Sequence, residues 1–322
     1  MSRSRNSARK VWNEARNAGM ADPIEITRLS KVFGLNLAVA RLSLTVPKGA
    51  FMGFFGPNGS GKTTTIKTML NIIPPTSGEA RILGVRSKSL GPEQFQRIGY
   101  VSENQYLPLW MSMRDLIDYC RPMYPTWDDV LCERLYSLFD LPSGGRLKSF
   151  SRGMLMKAAL LSSLSYRPEL VVLDEPFSGL DPLSRDQFIE GLLELSGESP
   201  FTLFISSHDV DEVERLCDAI TFIDAGRAIL TESTESLLHR FRRVEVSIPN
   251  EQAVERSRLP ESWRSVRQEG GRLQFMETAF ESDADESERV GGILEGGMVR
   301  SIQMVTLREI VVFLSDVGGG KR

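Results

Sequence analysis

Hydrophobic and polar positions along residues 24–240 alternate in a way that predicts strands followed by helices. Two short runs, Phe51–Phe55 and Leu170–Leu173, are continuously apolar, as fully buried strands are. Phe201–Ile205 is a third predicted strand. A glycine-rich turn and a helix over about Lys62–Ile72 follow the first run. The pattern therefore predicts an α/β core with a mainly parallel sheet.

A long insertion, roughly residues 88–165, separates the first two predicted strands and is predicted to be mostly helical. Ala225-Gly226 predicts a tight turn that joins Ile220–Asp224 to Arg227–Leu230 in a hairpin. Apolar residues fall at helical spacing in two parts of the insertion: Leu116, Tyr119 and Cys120, and then Leu131, Leu135 and Leu138.

The pattern changes beyond about Phe241. Val244, Val246 and Ile248 alternate with polar residues, as in a half-exposed strand. Three later segments are predicted to be a solvated loop or helix face, a strand and a helix, respectively: Glu281–Glu288, Val299–Met304 and Thr306–Leu314. We predict a small α/β accessory domain over residues 241–322, after a larger domain over residues 23–240.

The first 22 residues form a basic extension, with Arg3, Arg5, Arg9, Lys10 and Arg16 against Glu14 and Asp22. A solvated tail is the simpler interpretation. The alternative is weak contact with anionic lipid headgroups.

Composition narrows the class of protein. The 322 residues carry a formal net charge of -3, which gives no support for nucleic-acid binding. No apolar run is long enough to cross a bilayer, so we do not expect a membrane channel. No apolar segment follows the basic N-terminus as in a secretory signal. Cys120, Cys132 and Cys217 lack paired or metal-like spacing, so we expect reduced thiols in a cytosolic protein.

A glycine-rich segment between the first strand and its helix matches the pattern G-x-x-x-x-G-K-[ST]. Backbone N–H groups in such a loop surround phosphates, and the following helix adds its positive end. Lys62 is expected to lie between the β- and γ-phosphates, and the Thr63 hydroxyl to bind Mg²⁺. The predicted ATP-binding residues are Gly56, Pro57, Asn58, Gly59, Ser60, Gly61, Lys62, Thr63 and Thr64.

Two acids, Asp174 and Glu175, end the second apolar strand. Ligands of a doubly wound sheet lie at the carboxyl ends of its strands. We expect Asp174 to hold Mg²⁺ and Glu175 to orient and polarise the attacking water.

Three further segments narrow the choice among families of nucleotide-binding proteins: Phe150-Ser151-Arg152-Gly153-Met154, Pro176–Pro182, and Ser206-Ser207-His208-Asp209. With the phosphate loop and the acidic strand end, they make five motifs in the order typical of one family. Over roughly residues 24–240 the chain resembles ATP-binding-cassette (ABC) transporter ATPases. The resemblance implies a P-loop NTPase core and two cassettes that face head to tail around two ATP molecules.

The resemblance also implies roles for individual residues. Ser151 and Gly153 would contact the γ-phosphate bound by the partner subunit. Asp181 would lie at the subunit boundary and couple the two sites. His208 would bind the γ-phosphate as a catalytic residue beside Glu175 and Lys62. Phe33 would stack on adenine, or else it is a core residue.

Three residues depart from the family pattern. Arg152 stands where the signature usually has glycine, and Met154 where it has glutamine. Arg152 is either a cation that contacts nucleotide across the interface or a tolerated substitution. Glu103 stands where the family usually has a Gln that contacts Mg²⁺, with Gln105 as the alternative ligand. Some exporter ATPases share this acid, which favours an exporter of ABC-2-like type.

The resemblance implies an ATP-hydrolysing subunit, a homodimer or one of a pair, at the cytoplasmic face of the membrane. Separate permease subunits would bind it, and nucleic acid would not. Tyr106, Leu107, Leu109, Trp110 and Met111 either receive a helix of the permease or pack inside the insertion. The alternative function is that of a soluble ABC ATPase, for instance in iron–sulfur cluster assembly.

Overall fold

The computed structural model describes residues 22–319 apart from 199, 212, 213, 215, 250–253 and 255–258. The predicted basic extension, except for Asp22, lies outside the described residues. The chain divides into two compact units, and the boundary between them in the sequence lies between Thr231 and Glu232. This division falls earlier in the sequence than the predicted boundary near residue 240.

The first unit alternates strands and helices. Its strands are β1 (Ile24–Phe33), β2 (Asn36–Val46), β3 (Phe51–Phe55), β4 (Ser77–Ile82), β5 (Val85–Arg86), β6 (Ile98–Ser102), β7 (Leu170–Asp174), β8 (Thr202–Ser207), β9 (Ala219–Asp224) and β10 (Arg227–Ser233), the last of which crosses the boundary. Its α-helices are α1 (Lys62–Met69), α2 (Pro92–Phe95), α3 (Met113–Cys120), α4 (Asp129–Leu138), α5 (Arg152–Leu164) and α6 (Pro182–Glu198).

A six-stranded sheet in the order β10-β9-β3-β8-β7-β6 forms the centre of this unit. Strands β9, β3, β8, β7 and β6 are parallel. Every residue of β3, β7 and β8 is buried, which explains their continuous apolar runs. The predicted α/β class with a mainly parallel sheet is confirmed. A second, antiparallel sheet has the order β2-β1-β4-β5.

The predicted hairpin is confirmed between β9 and β10. Its turn residues Ala225 and Gly226 have φ of 45° and 75°, as a two-residue turn of this kind requires. The predicted helix after the phosphate loop is confirmed but shorter, because Leu70 caps it and Asn71 has a φ of 58°.

The predicted helical insertion contains one strand that the sequence pattern missed. Strand β6 pairs in parallel with β7 and is the edge of the central sheet. Helical structure in the insertion resumes with α3, and α3 and α4 carry the apolar positions predicted for it. A run of five residues is too short for periodicity to separate a strand from a helix.

The second unit contains α7 (Thr234–Arg240), β11 (Arg242–Ser247), β12 (Trp263–Glu269), β13 (Arg272–Glu277), α8 (Asp283–Ile293), β14 (Met298–Met304) and α9 (Leu307–Gly319). Its antiparallel sheet has the order β12-β13-β11-β14. Its core contains Val244, Val246, Trp263, Leu273, Phe275, Val290 and Leu294. The prediction that the acidic segment Glu281–Glu288 is solvated is wrong in one respect, because Glu286 is only 1% exposed.

Within the described part of the chain, no helix combines the length and the apolar character needed to span a bilayer.

Candidate functional site

The phosphate loop follows β3 and leads directly into α1, which begins at Lys62. The first N–H groups of an α-helix have no acceptor within the helix. Those of α1 therefore remain to bind an anion, and the helix dipole favours one there. The Ser60 hydroxyl is buried and, among the described residues, has no hydrogen-bond partner.

Two glycines of the loop have no room for a side chain. A Cβ on Gly56 would lie 2.1 Å from the Ile223 carbonyl oxygen. A Cβ on Gly61, where φ is 104°, would lie 2.4 Å from the Ala38 carbonyl oxygen on β2. The loop is therefore held closely between β9 and the β1–β2 hairpin.

The Lys62 side chain is 5% exposed and lies over the loop. Its ammonium donates to the Gly56 carbonyl at 2.6 Å and to the Pro57 carbonyl at 3.2 Å. It also forms an ion pair with Glu175 Oε1 at 3.1 Å. The cation predicted to bind phosphate and the carboxylate predicted to polarise the attacking water are thus in direct contact.

Asp174, at the end of β7, is buried among hydroxyl groups. The Thr63 and Ser206 hydroxyls donate to its Oδ1 at 3.0 and 2.8 Å. Burial raises the pKa of Asp174, while these two donors oppose the rise. Adjacent carboxylate and hydroxyl oxygens are ligands that Mg²⁺ accepts, so Thr63 and Asp174 fit the predicted metal site.

Glu175 has a φ of 51°, which is unusual for a residue with a side chain. Its backbone N–H donates to Ser206 Oγ at 3.0 Å. Its Oε2 lies 2.8 Å from His208 Nδ1 and also accepts from the His208 N–H at 3.3 Å. The structure therefore brings Lys62, Glu175 and His208 together at the carboxyl ends of β7 and β8 and the start of α1.

The carboxylate of Glu103 faces the signature segment. Its Oε1 accepts from Arg152 Nη2 at 2.6 Å and from Ser178 Oγ at 2.7 Å. These donors hold the pKa of Glu103 below its usual value, with the Ser178 bond as the larger cause. The Glu103 N–H donates to the Asp174 carbonyl at 2.9 Å, so the backbone of Glu103, though not its carboxylate, contacts the predicted metal site.

The signature residues lie at the start of α5. Ser151 caps this helix and accepts from the Met154 N–H at 3.2 Å. Gly153 is buried, and a Cβ there would lie 2.9 Å from Ser184 Oγ. Asp181 accepts from the Ser184 N–H and hydroxyl at 2.9 and 2.7 Å, and these bonds lower its pKa.

The predicted adenine contact is exposed, and so are some of the predicted permease contacts. Phe33 ends β1 half-exposed, with Lys31 Nζ 4.9 Å from its ring centre. Tyr106 is 91% and Trp110 68% exposed, whereas Leu107 and Met111 are buried. The apolar segment after Glu103 therefore presents part of its side chains to solvent and packs the rest.

Two hydroxyl residues of the site had no role in the motif analysis. Ser206 contacts both Asp174 and Glu175, and Ser178 contacts Glu103. Ser206 lies opposite Asp174 in the parallel register of β7 and β8. Pairing the ends of the two predicted strands would have identified it.

Residues 39–178 match a family model described as ABC transporter. Residues 144–214 match a model described as an AAA domain, putative AbiEii toxin of a type IV TA system. An uncharacterized ABC transporter ATP-binding protein of Nostoc sp. is 36% identical over 217 residues, which are 64% of this chain and 64% of that protein.

A bacitracin transport ATP-binding protein of Enterococcus faecalis is 30% identical over 222 residues, which are 68% of this chain and 72% of that protein. A solved dimeric structure of an ATP-binding cassette, in a post-hydrolysis state bound to ADP and Pi, shares the fold. Its TM-score is 0.58 at 19% identity, and the match covers 65% of this chain and 98% of that one.

Proposed function

This chain belongs to the family of ABC transporter ATP-binding proteins, and from that premise we propose that it binds and hydrolyses ATP to drive a transporter. The observation that carries the proposal is one connected set of contacts. It joins the phosphate loop, the acidic end of β7 and the histidine after β8.

ATP would enter with its phosphates over the start of α1. The free N–H groups of the helix and the Lys62 ammonium would replace water around the β- and γ-phosphates. Lys62 would then exchange its carbonyl partners for phosphate oxygens. Phe33, exposed at the end of β1, would stack on adenine.

Thr63 and Asp174 would hold Mg²⁺. The carboxylate of Glu103, predicted as a further ligand, bonds Arg152 and Ser178 in the structure. The ion would neutralise charge on the phosphate oxygens. The Ser206 hydroxyl keeps the Asp174 carboxylate oriented toward Thr63. The protein therefore supplies the site from three segments that the central sheet holds together.

Glu175 would orient the attacking water and accept its proton. Its Oε2 already contacts His208 Nδ1, and its Oε1 contacts Lys62. His208 would bind the γ-phosphate and register its loss. A water between Glu175 and the γ-phosphate would then be aligned by groups that follow β7 and β8.

The site would be completed by a second subunit, either a copy of this chain or a paired cassette. Ser151 and Gly153 of one subunit would contact the γ-phosphate held by the other, with the positive end of α5 facing that phosphate. Asp181 would lie at the boundary between them. Closure on ATP and opening after hydrolysis would supply the motion.

The partner that receives this motion would be an integral membrane permease. The exposed Tyr106 and Trp110 are the side-chain types that anchor protein interfaces. The subunit would then act peripherally at the cytoplasmic face of the membrane, and Glu103 favours export as the direction.

Measurement of Mg²⁺-dependent ATP hydrolysis tests this proposal. Wild type should hydrolyse ATP, and Lys62→Ala and Glu175→Gln should each lose at least about 99% of the turnover. The matched control is Glu93→Gln, an acid-to-amide change on the exposed face of α2, which should behave as wild type. Turnover that survives in Lys62→Ala and Glu175→Gln would overturn the assignment.

A further inference from the structure

Two of the three residues that depart from the family pattern, Arg152 and Glu103, contact each other. Arg152 Nη2 donates to Glu103 Oε1 at 2.6 Å, and the Ser178 hydroxyl donates to the same oxygen at 2.7 Å. The Arg152 side chain is 50% and the Glu103 side chain 33% exposed. A pair this exposed adds little to fold stability, so its significance lies in the segments that it joins.

The pair joins three segments of one subunit. Glu103 lies in the loop after β6, and its N–H donates to the Asp174 carbonyl at 2.9 Å. Arg152 is the first residue of α5. Ser178 belongs to the turn after Glu175, and its N–H donates to the Glu175 carbonyl at 3.3 Å. The carboxylate of Glu103 therefore lies between the signature helix and the catalytic turn.

The turn is shaped to accept the guanidinium. Gly179 has a φ of 70°, and a Cβ there would lie 2.9 Å from Arg152 Nη1. The guanidinium thus lies against the backbone of this turn while it donates to Glu103. A planar group with donors on several edges can do both, and a lysine ammonium cannot.

The charges of the two residues are also matched. A cation in the first turn of a helix opposes the helix dipole, so Arg152 is unfavourable there unless an acid compensates it. Conversely, an unpaired carboxylate at residue 103 would repel the phosphates expected beside Asp174. Arg152 and Glu103 therefore each reduce the unfavourable electrostatic energy that the other would have alone.

We propose that Arg152 is a positioning residue within its own subunit, which fixes Glu103 and the Ser178-Gly179 turn beside the catalytic Glu175. This inference rests on the proposed function. It replaces the expectation that Arg152 contacts nucleotide across the subunit interface.

A double-mutant cycle tests the inference through Arg152→Ala, Glu103→Gln and the double variant. Arg152→Ala should lower kcat about tenfold, because misplaced catalytic groups slow the chemical step, and should leave the KM for ATP within about twofold. In the Glu103→Gln background the same change should lower kcat by no more than about twofold. Arg152→Lys should lower kcat about as much as Arg152→Ala does, since lysine lacks the planar guanidinium.

Arg114→Ala on the exposed face of α3 is the matched control, and its kcat should equal that of wild type. A contact across the interface predicts a different result. Loss of Arg152 would then raise the KM for ATP, and raise the ATP concentration at which a Glu175→Gln background dimerises, by equal factors with or without Glu103. That result, or additive losses of kcat in the cycle, would overturn the inference.

Hydrogen exchange in the nucleotide-free chain separates this inference from the proposed function. Arg152→Ala should speed amide exchange around Ser178–Leu180 severalfold, and Arg114→Ala should not. Unchanged exchange in that turn would refute the positioning role whatever the enzyme does. A wild type that fails to hydrolyse ATP would refute the proposed function alone.

Discussion

The Ser206 hydroxyl bonds two adjacent residues, Asp174 and Glu175. It donates to Asp174 Oδ1 and accepts from the Glu175 N–H, and it is fully buried. Burial raises the pKa of Asp174, so each donor to its oxygen helps to keep the carboxylate charged. One small side chain on β8 therefore orients the predicted metal ligand at the end of β7 and the predicted catalytic base that follows it.

Ser206→Ala should weaken both the fold and the site. It removes one donor to Asp174 and leaves the Glu175 N–H with the Ser206 carbonyl at 3.2 Å as its acceptor, which should lower the free energy of unfolding by about 1–3 kcal/mol. It should also raise the Mg²⁺ concentration needed for half-maximal hydrolysis. Urea titration and a Mg²⁺ titration of activity measure the two effects.

Ser165→Ala is the matched control for this change. It removes a buried hydroxyl that donates to the Leu161 carbonyl of its own helix. The control should keep the wild-type Mg²⁺ requirement, and a Ser206→Ala protein with the same Mg²⁺ titration as the control would contradict the orienting role.

The site residues that the sequence alone can identify are those whose partners are close in sequence. The phosphate loop and the acids at the end of β7 each form a contiguous motif with a mechanism of its own. Ser206 and Ser178 act on residues of other segments, and the pairing of Arg152 with Glu103 joins positions 49 residues apart. Such contacts depend on tertiary packing, which periodicity does not contain.

At the scale of elements, α8 shows how an acidic helix can bury one of its acids. The segment Glu281–Glu288 is polar apart from Ala284, so its pattern gave no apolar face. Glu286 nevertheless packs beside the fully buried Glu277 of β13, and Arg289 Nη1 lies 3.1 Å from Glu277 Oε2 and 3.4 Å from Glu286 Oε2. Burial and the nearby Glu277 raise the pKa of Glu286 to about 7, while Arg289 opposes the rise.

This raised pKa makes stability depend on pH. The folded state holds the Glu286 proton more tightly than the unfolded state, whose pKa is near the usual 4.5. Its stabilising contribution is complete below about pH 4.5 and is lost as pH rises to about 7, by about 1 kcal/mol per pH unit. Glu286→Gln should remove this part of the pH dependence.

Chemical denaturation of the full chain at several pH values between 4 and 8 measures the difference. Glu288→Gln changes an exposed acid on the same helix and should retain the wild-type pH dependence. Parallel stability curves for wild type and Glu286→Gln would show that Glu286 is not the group that titrates.

At the scale of the whole molecule, the proposed function requires a membrane partner. A tagged Glu175→Gln chain, purified with ATP from detergent-solubilised membranes, should retain a polytopic membrane protein in stoichiometric amount. Trp110→Asp in the same background should reduce this recovery at least about tenfold, because a central aromatic anchor of an interface is worth about 2 kcal/mol or more.

The control for Trp110→Asp is ATP-driven dimerisation, which should be unchanged because Trp110 lies outside the nucleotide site. Equal recovery of the membrane protein by both chains would move the partner surface elsewhere. Recovery of a soluble partner instead would favour the alternative function, that of an ABC ATPase that drives no transport.

The strand order of the central sheet has a consequence for synthesis on the ribosome. Strand β3, which carries the phosphate loop, lies between β8 and β9, and Gly53 pairs with Ile205 and Ile220. A nascent chain that ends before residue 200 therefore has the whole phosphate loop but neither strand beside it. Contacts so distant in sequence form slowly, and such a chain exposes an apolar strand with unpaired edges. Nucleotide can stabilise the fold only after these strands emerge, so ATP binding cannot protect the youngest chains from aggregation.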